Sequence, residues 1–227
     1  MAEVYANYAG LMRYAAAHGQ DGLGGTLLYA GELDAAGRIL AIAGNIAGAA
    51  TLAATAHQDA AKQAMREGAV DFVVTNLDEA LRILKNQVRK HEPAAVCVGA
   101  ARENVEREMT ERGVLPDVLH AGGLDDAVAA QFVAAGAQRA RVEPFEAGET
   151  LFTIEIPVAL MRELARVEEI LAASLAENDL INRRWLRLSP RYLGPSARRV
   201  RSVVCANGAV AELKEQLRQV SSEAVIQ

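Results

Sequence analysis

The segment Val-Asp-Phe-Val-Val-Thr-Asn-Leu-Asp-Glu, residues 70–79, contains the transition that decides the fold. Its first half is a β-branched and aromatic run typical of a buried strand. Its second half begins a helix, because the Asn76 side chain can cap the first turn and two acids follow near the positive end of the helix dipole. A strand that passes directly into a helix predicts one βα unit of a parallel sheet.

The same alternation extends in both directions from this segment. Strands are predicted at 26–30, 38–43, 70–74, 94–99 and 117–120. Helices are predicted at 5–18, 44–66, 76–91, 101–112 and 124–135. Strands that alternate with helices, joined by right-handed crossovers, predict a doubly wound, mostly parallel α/β sheet of the Rossmann type. We assign it to residues 23–147, after an N-terminal helical segment at 1–22.

Residues 148–227 form a different pattern, a C-terminal extension. A β-rich run at 151–156 predicts a strand, a helix is expected over 158–187, and a last amphipathic helix over 210–220. Leu160, Leu164, Val167, Leu171 and Leu175 recur at helical spacing, so the helix at 158–187 must pack against another surface. That surface is either its own sheet or the same helix of a second subunit; the second case predicts a homo-oligomer, and the alternative function is a non-catalytic assembly protein that dimerises through this helix.

Charge and cysteine content exclude several classes of protein. The net charge is −5, which argues against a surface that coats nucleic acid. Cys97 and Cys205 are far apart, and the four histidines are dispersed, so neither zinc nor redox chemistry is predicted and no metal is expected. The N-terminus has no secretory pattern, which predicts a cytoplasmic location.

One uncharged stretch requires a test as a membrane span. Residues 39–56 contain no charged side chain and carry Gly44 and Gly48 at GxxxG spacing. Most of the stretch is Ala, Gly, Thr and Asn, whose transfer into lipid is weakly favourable. We therefore predict a strand, a glycine turn and a buried helix rather than a membrane segment.

The glycine turn is the first candidate for chemistry. It consists of Gly44, Asn45, Gly48, Ala49 and Ala50, placed after a predicted strand and before a predicted helix. Backbone amides in such a turn can hold a pyrophosphate. The motif lacks the third glycine of GxGxxG, so close packing of helix on sheet is the alternative.

Three further residues are predicted to converge on a ligand at the carboxyl edge of the sheet. Asn76, Gly99 and His120 each follow or end a predicted strand, where doubly wound sheets bind their ligands.

An arginine-rich segment is the second candidate. Residues 183–201 contain seven arginines and no acid, with Trp185 and Tyr192 among them. Arg183, Arg184 and Arg187 are the predicted anion-binding residues, because guanidinium groups match phosphate and carboxylate. The alternatives are single-stranded RNA, stacked on the aromatic rings, and a structural role. The acidic chain makes nucleic acid the less favoured partner.

Several stretches resemble one family, the urocanases (urocanate hydratases), in their Rossmann-like domain. The resemblance spans about residues 5–140 and rests on Gly24–Tyr29, Ile46–Thr55, Asn76–Arg82 and Glu111–Val118. In the family, a loop of the type Gly-Gly-Met-Gly-Gly-Ala-Gln precedes Pro-Leu-Ala-Ala-Thr and holds NAD+, which acts as an electrophile toward urocanate. The resemblance implies that residues 44–50 form this loop here and that Thr51 takes the place of the proline.

The resemblance has departures that bear on activity. Two glycines and the glutamine of the family loop are absent, and the family's Gly-Asn dipeptide becomes Gly99-Ala100-Ala101. The large substrate domain has no recognisable counterpart. We therefore expect a stand-alone urocanase-like domain that binds NAD or another nucleotide without full urocanate hydratase activity. Any activity it has would be of the lyase or hydratase class.

Overall fold

Six parallel strands form the sheet of the first unit of the structure, in the order β3-β4-β2-β1-β5-β6. The strands are β1 (Leu27–Glu32), β2 (Ala50–Ala54), β3 (Phe72–Val74), β4 (Ala94–Val98), β5 (Val118–His120) and β6 (Gln138–Ala140). The helices are α1 (Ala2–Ala17), α2 (Ala35–Ala47), α3 (Gln58–Glu67), α4 (Leu77–Lys90), α5 (Arg102–Glu111) and α6 (Asp126–Ala134). The predicted doubly wound α/β class is confirmed.

The computed structural model describes residues 1–120, 126–141, 145–220 and 225–226. These fall into two units, residues 3–143 and 144–227. The division lies near the boundary expected from the sequence at 147/148. No helix within the described ranges has the length and apolar character needed to cross a bilayer.

The strand order places helices on both faces of the sheet. The connections β1 to β2 and β2 to β3 run in one direction, and the later connections run in the other. With right-handed crossovers, α2 and α3 therefore lie on one face and α4, α5 and α6 on the opposite face. Leu81 of α4, Val105 of α5 and Phe132 of α6 accordingly share one core cluster with Leu52 and Val96 of the sheet.

The strand predicted at 38–43 is wrong, because these residues belong to α2. Asp34 caps this helix, accepting a hydrogen bond from the Gly37 amide at 2.9 Å, and Gly48 ends it in the left-handed conformation with φ +100°. The true second strand is β2, within the stretch expected to be one alanine-rich helix. Its residues are 0 or 1% exposed, so they lie inside a parallel sheet and show no alternation.

The second unit contains a three-stranded antiparallel sheet in the order β8-β7-β9. Its elements are β7 (Glu149–Glu155), α7 (Leu164–Ala173), α8 (Leu180–Tyr192), β8 (Val200–Ala206), α9 (Val210–Val220) and β9 (Val225–Ile226). The strand expected at 151–156 and the last helix are confirmed. The sequence pattern did not predict strands β6 and β8.

The helix expected over 158–187 is interrupted. Residues 158–163 form a 3-10 helix, α7 follows, and α8 begins anew at Asp179, which accepts a hydrogen bond from the Asn182 amide at 2.9 Å. Val167, Leu171 and Leu175 pack in one cluster with Phe152 of β7 and Val203 of β8. The apolar stripe is thus buried against its own sheet, as the first alternative expected, and that face is not open to a second subunit.

Candidate functional site at the carboxyl edge

Four strands of the first unit end at paired positions along the carboxyl edge of the sheet. Glu32 of β1 pairs with Ala54 of β2, Ala54 with Val98 of β4, and Val98 with Val74 of β3. The ligands of open parallel sheets bind beyond such an edge, where neighbouring connections leave toward opposite faces. Here β2 leads into α3 and its neighbour β4 leads into α5, on opposite faces. The topology therefore makes the space between their first turns the candidate binding position.

The amides that follow the two strands are already bonded, whereas the first turns of the next helices have no side-chain cap. The Thr55 amide donates to Val98 at 3.1 Å and the Gly99 amide donates to Val74 at 2.8 Å. Helix α3 begins after His57 and α5 after Ala101, and neither residue supplies a side-chain cap. Two helix N-termini without a side-chain cap therefore border this candidate position, which favours an anion.

A charged cluster supports the start of α5. Glu106 is only 3% exposed, accepts a hydrogen bond from the Tyr29 hydroxyl at 3.1 Å, and lies 3.6 Å from Nε of Arg102. Burial, and next the charge of Glu106, raise the pKa of Tyr29, which therefore stays protonated and donates. Arg102 is held by Glu106 and also lies 3.5 Å from Glu103. The cluster fixes a guanidinium at the first residue of α5.

The turn from β1 into α2 has the opposite charge. Asp34 Oδ1 accepts from the Gly37 amide at 2.9 Å, and Glu32 ends β1 half-buried. A Cβ atom at Gly37 would collide with the Glu32 carbonyl oxygen, so only glycine allows helix and strand to approach this closely. Burial, followed by the charge of Glu32, raises the pKa of Cys97 to about 12. Carboxylates therefore dominate this turn.

The glycine turn predicted at 44–50 is not a strand-to-helix turn. Gly44 and Asn45 lie in the last turn of α2, and the chain then enters β2 at the amino edge of the sheet. The Gly48 and Ala49 amides donate to the Gly44 carbonyl at 2.8 and 2.9 Å, and the Ala50 amide donates to Thr26 at 3.0 Å. These amides are satisfied inside the protein, so the geometric condition for a phosphate cradle is not met there.

Packing explains the small residues of this segment. A Cβ atom at Gly44 would lie 2.6 Å from Thr51 Oγ1 and 2.8 Å from Leu28 Cδ2. Asn45 is 1% exposed and Thr51 is fully buried. The close contact of α2 with the sheet requires glycine at this position, which is the alternative that the sequence left open.

The remaining three predicted binding residues do lie at the carboxyl edge. Asn76 caps α4, because its Oδ1 accepts from the Glu79 amide at 2.9 Å and its Nδ2 donates to Thr75 Oγ1 at 3.1 Å. Gly99 follows β4 and is exposed, and His120 is the last residue of β5. The structure therefore separates the predicted set into two groups on opposite edges of the sheet.

The arginines predicted to bind anions have mixed roles. Arg183 donates to the backbone carbonyls of Ala176 and Leu175, both at 2.9 Å, near the end of α7. Arg184 is half-buried, and Arg187 is exposed. The Trp185 ring is fully buried and its Nε1 donates to Ser202, so it does not offer a stacking surface for RNA. Anion binding by these arginines stays a prediction.

Sequence reasoning missed Arg102 and Glu106 and the start of α3. A signal for α3 was available: Thr55-Ala56-His57 follows the apolar run of β2 and precedes polar helical residues. It was hidden because the alanines of β2 favour a long helix when they are taken alone. Glu106 has no comparable signal, since a glutamate on an amphipathic helix is usually exposed.

Comparison with protein families bears on the first unit. A model of the urocanase Rossmann-like domain matches residues 4–137, more than half of the chain. The chain belongs to the urocanase family. The matched region includes all five strands from β1 to β5, so both edges of the sheet described above lie within the family domain, while the second unit lies beyond the match.

The family link makes NAD+ the cofactor to test against the residues present. They do not fit its pyrophosphate at residues 44–50 or at the β1–α2 turn. At 44–50 the amides are bonded within the urocanase-like domain; at the β1–α2 turn the Asp34 carboxylate already accepts from the Gly37 amide, and Glu32 adds a second acid two residues earlier.

Proposed function

We propose that the urocanase-like domain of this chain binds a small anionic ligand, such as a mononucleotide, between the first turns of α3 and α5. The observation that carries the proposal is the pair of helix N-termini without side-chain caps, beside neighbouring strands whose connections diverge. Gly99 supports it, because this exposed residue leaves room for a ligand next to the α5 terminus.

Arg102 contributes selectivity in this proposal. Its guanidinium lies at the first residue of α5 and is held in place by Glu106, so it presents hydrogen-bond donors from a fixed position. A phosphate or carboxylate would receive backbone hydrogen bonds from α3 and α5 and a hydrogen bond from Arg102. On the side of the site that faces β1, the next boundary would be the end of β5 at His120.

We propose no urocanate hydratase activity for this chain alone. The family match covers residues 4–137, and the family's cofactor loop is not reproduced. A reducing, cytoplasmic setting belongs to the same proposal, because Cys97 and Cys205 are free thiols. Purified protein mixed with urocanate and NAD+ should leave the ultraviolet absorbance of urocanate unchanged, and a decrease would contradict this part.

Calorimetric titration with AMP, NAD+ and inorganic pyrophosphate at low salt tests the binding site. The informative variant is Ala101→Asp, which places a carboxylate at the N-cap of α5. It should stabilise the helix by about 0.5–1 kcal/mol and abolish binding, since the new side chain takes the amides and repels the anion. The matched control is Ala36→Asp, which adds the same charge at an exposed position in the first turn of α2.

The pair of variants separates the outcomes. Saturable heat in the wild type and in Ala36→Asp, together with its loss in Ala101→Asp, supports the site. Equal binding in Ala101→Asp contradicts it, and so does the absence of heat with all three ligands at millimolar concentration.

A further inference from the structure

The turn between β1 and α2 is the place where doubly wound folds usually receive a phosphate. It is the first strand-to-helix turn of the sheet, and the phosphate there accepts hydrogen bonds from the N-terminal amides of the following helix. Gly31, with φ +75°, and Gly37 give this turn the tight backbone that such a loop needs. The backbone requirements of a phosphate site are therefore present.

The amide that a phosphate would use is occupied by a side chain of the same turn. Asp34 Oδ1 accepts from the Gly37 amide at 2.9 Å, while the Arg38 amide donates to the Asp34 carbonyl at 3.0 Å. Helix α2 is thus capped by its own carboxylate. By contrast, α3 and α5 begin without a side-chain cap.

A second carboxylate lies beside the first. Glu32 ends β1 two residues before Asp34 and is half-buried, so its charge is less screened than that of an exposed glutamate. The guanidinium of Arg38, in the first two turns of α2, donates through Nε to the Asp34 carbonyl and lies 3.5 Å from Glu67. The Glu67 carboxylate therefore offsets part of its positive charge.

We infer that Asp34 serves as an internal substitute for the phosphate at the β1–α2 turn, and that Asp34 and Glu32 together exclude the pyrophosphate of NAD+ from the position typical of this fold. The domain keeps the tight backbone of a dinucleotide site, and the Asp34 carboxylate takes the place of the bound phosphate. Phosphate-bearing ligands are thereby excluded from the β1–α2 turn and can bind only elsewhere along the carboxyl edge.

The test is a gain of binding. The double variant Glu32→Gln, Asp34→Gly removes both charges and leaves the Gly37 amide without a side-chain acceptor, and glycine is well tolerated at an N-cap, so folding should be retained. We expect wild-type protein to show no NAD+ binding at this turn, and the double variant to bind inorganic pyrophosphate and NAD+ at least about tenfold more tightly than the wild type, with affinity falling as salt rises. The control is Glu67→Gln, which removes one carboxylate near Arg38 without opening the turn.

Amide NMR spectra recorded during the titration locate the binding. New shifts at residues 35–37 in the double variant, absent from the wild type and the Glu67→Gln control, support the inference. A double variant that folds but gains no affinity overturns it. It is also overturned by NAD+ binding to the wild type that survives Ala101→Asp and is lost in Ala36→Asp. These results are separate from the fate of the α3 and α5 site, because that site depends on Ala101→Asp alone.

Discussion

Substitution of Gly44 by alanine tests whether this glycine serves packing or ligand binding. The added Cβ would lie 2.6 Å from Thr51 Oγ1 and 2.8 Å from Leu28 Cδ2, closer than nonbonded atoms approach. Both neighbours are fully buried, so neither can move outward freely. Overpacking of this kind costs about 1–3 kcal/mol.

A second effect opposes the first. Gly44 is inside α2, and replacing a glycine by alanine inside a helix raises the free energy of unfolding by about 1 kcal/mol. The expected net change is therefore a loss of roughly 0–2 kcal/mol in the free energy of unfolding. Ligand affinity should be unchanged, because Gly44 lies at the amino edge of the sheet.

The assay is urea unfolding of wild type, Gly44→Ala and a matched control, Gly99→Ala. In the control, the new Cβ would lie 3.4 Å from the Val74 carbonyl oxygen, an ordinary contact, on an exposed residue. Its stability should stay within about 0.5 kcal/mol of wild type. If Gly44→Ala is as stable as the wild type and loses nucleotide affinity, the packing explanation is refuted and the glycine faces a ligand.

Three further predictions concern stability and titration. Arg201→Ala should lower the free energy of unfolding by about 2 kcal/mol, because this 6% exposed guanidinium donates to Glu168 and to two backbone carbonyls, whereas Arg187→Ala at an exposed site should change it by less than about 0.5 kcal/mol, both measured by urea unfolding. Leu171→Ala should cost about 2–5 kcal/mol by the same measurement and leave the oligomeric state seen by sedimentation unchanged, since the side chain is buried in its own unit. Burial and Glu32 raise the pKa of Cys97 from 9.0 to about 12, so the thiol ionises earlier in the unfolded chain than in the folded one. The free energy of unfolding should therefore fall as pH rises from 9 to 12, and Cys97→Ala should flatten this slope by up to about 1.4 kcal/mol per pH unit in a pH series of urea melts; an unchanged slope would contradict the assignment.

The alternation of strands and helices could be predicted from the sequence because each boundary is marked by neighbouring residues. The Asn76 cap, the break at Pro93 and the apolar run of β4 mark boundaries without reference to the rest of the chain. Family membership could be inferred for the same reason, since the matching segments are contiguous and in order.

The position of the candidate site could not be predicted from the sequence. When a helix is mistaken for a strand, the segment that follows it is assigned to the wrong edge of the sheet. Residues 38–43 are mostly apolar and their pattern predicts a strand, yet Asp34 and Gly48 are the two caps of a helix that contains them. Once this helix is recognised, Gly44 moves from the carboxyl edge to the amino edge. An alanine-rich strand such as β2 is recognised only when its burial on both faces is known.

The polar contacts of the second unit were also beyond local reasoning. Arg183, Arg201 and Trp185 resemble a ligand surface when counted along the chain. In the fold, each bonds to at least one distant partner: Arg183 to Ala176, Trp185 to Ser202 and Arg201 to Glu168, which are seven, 17 and 33 positions away. Sequence composition alone does not reveal such pairing.

The most direct test of the proposed site is an amide NMR titration of the wild-type chain with AMP at low salt. The account predicts the largest shifts at residues 58–60 and 102–103, where α3 and α5 begin, and little change at 45–50. Largest shifts at 45–50, with 58–60 and 102–103 unaffected, would contradict it.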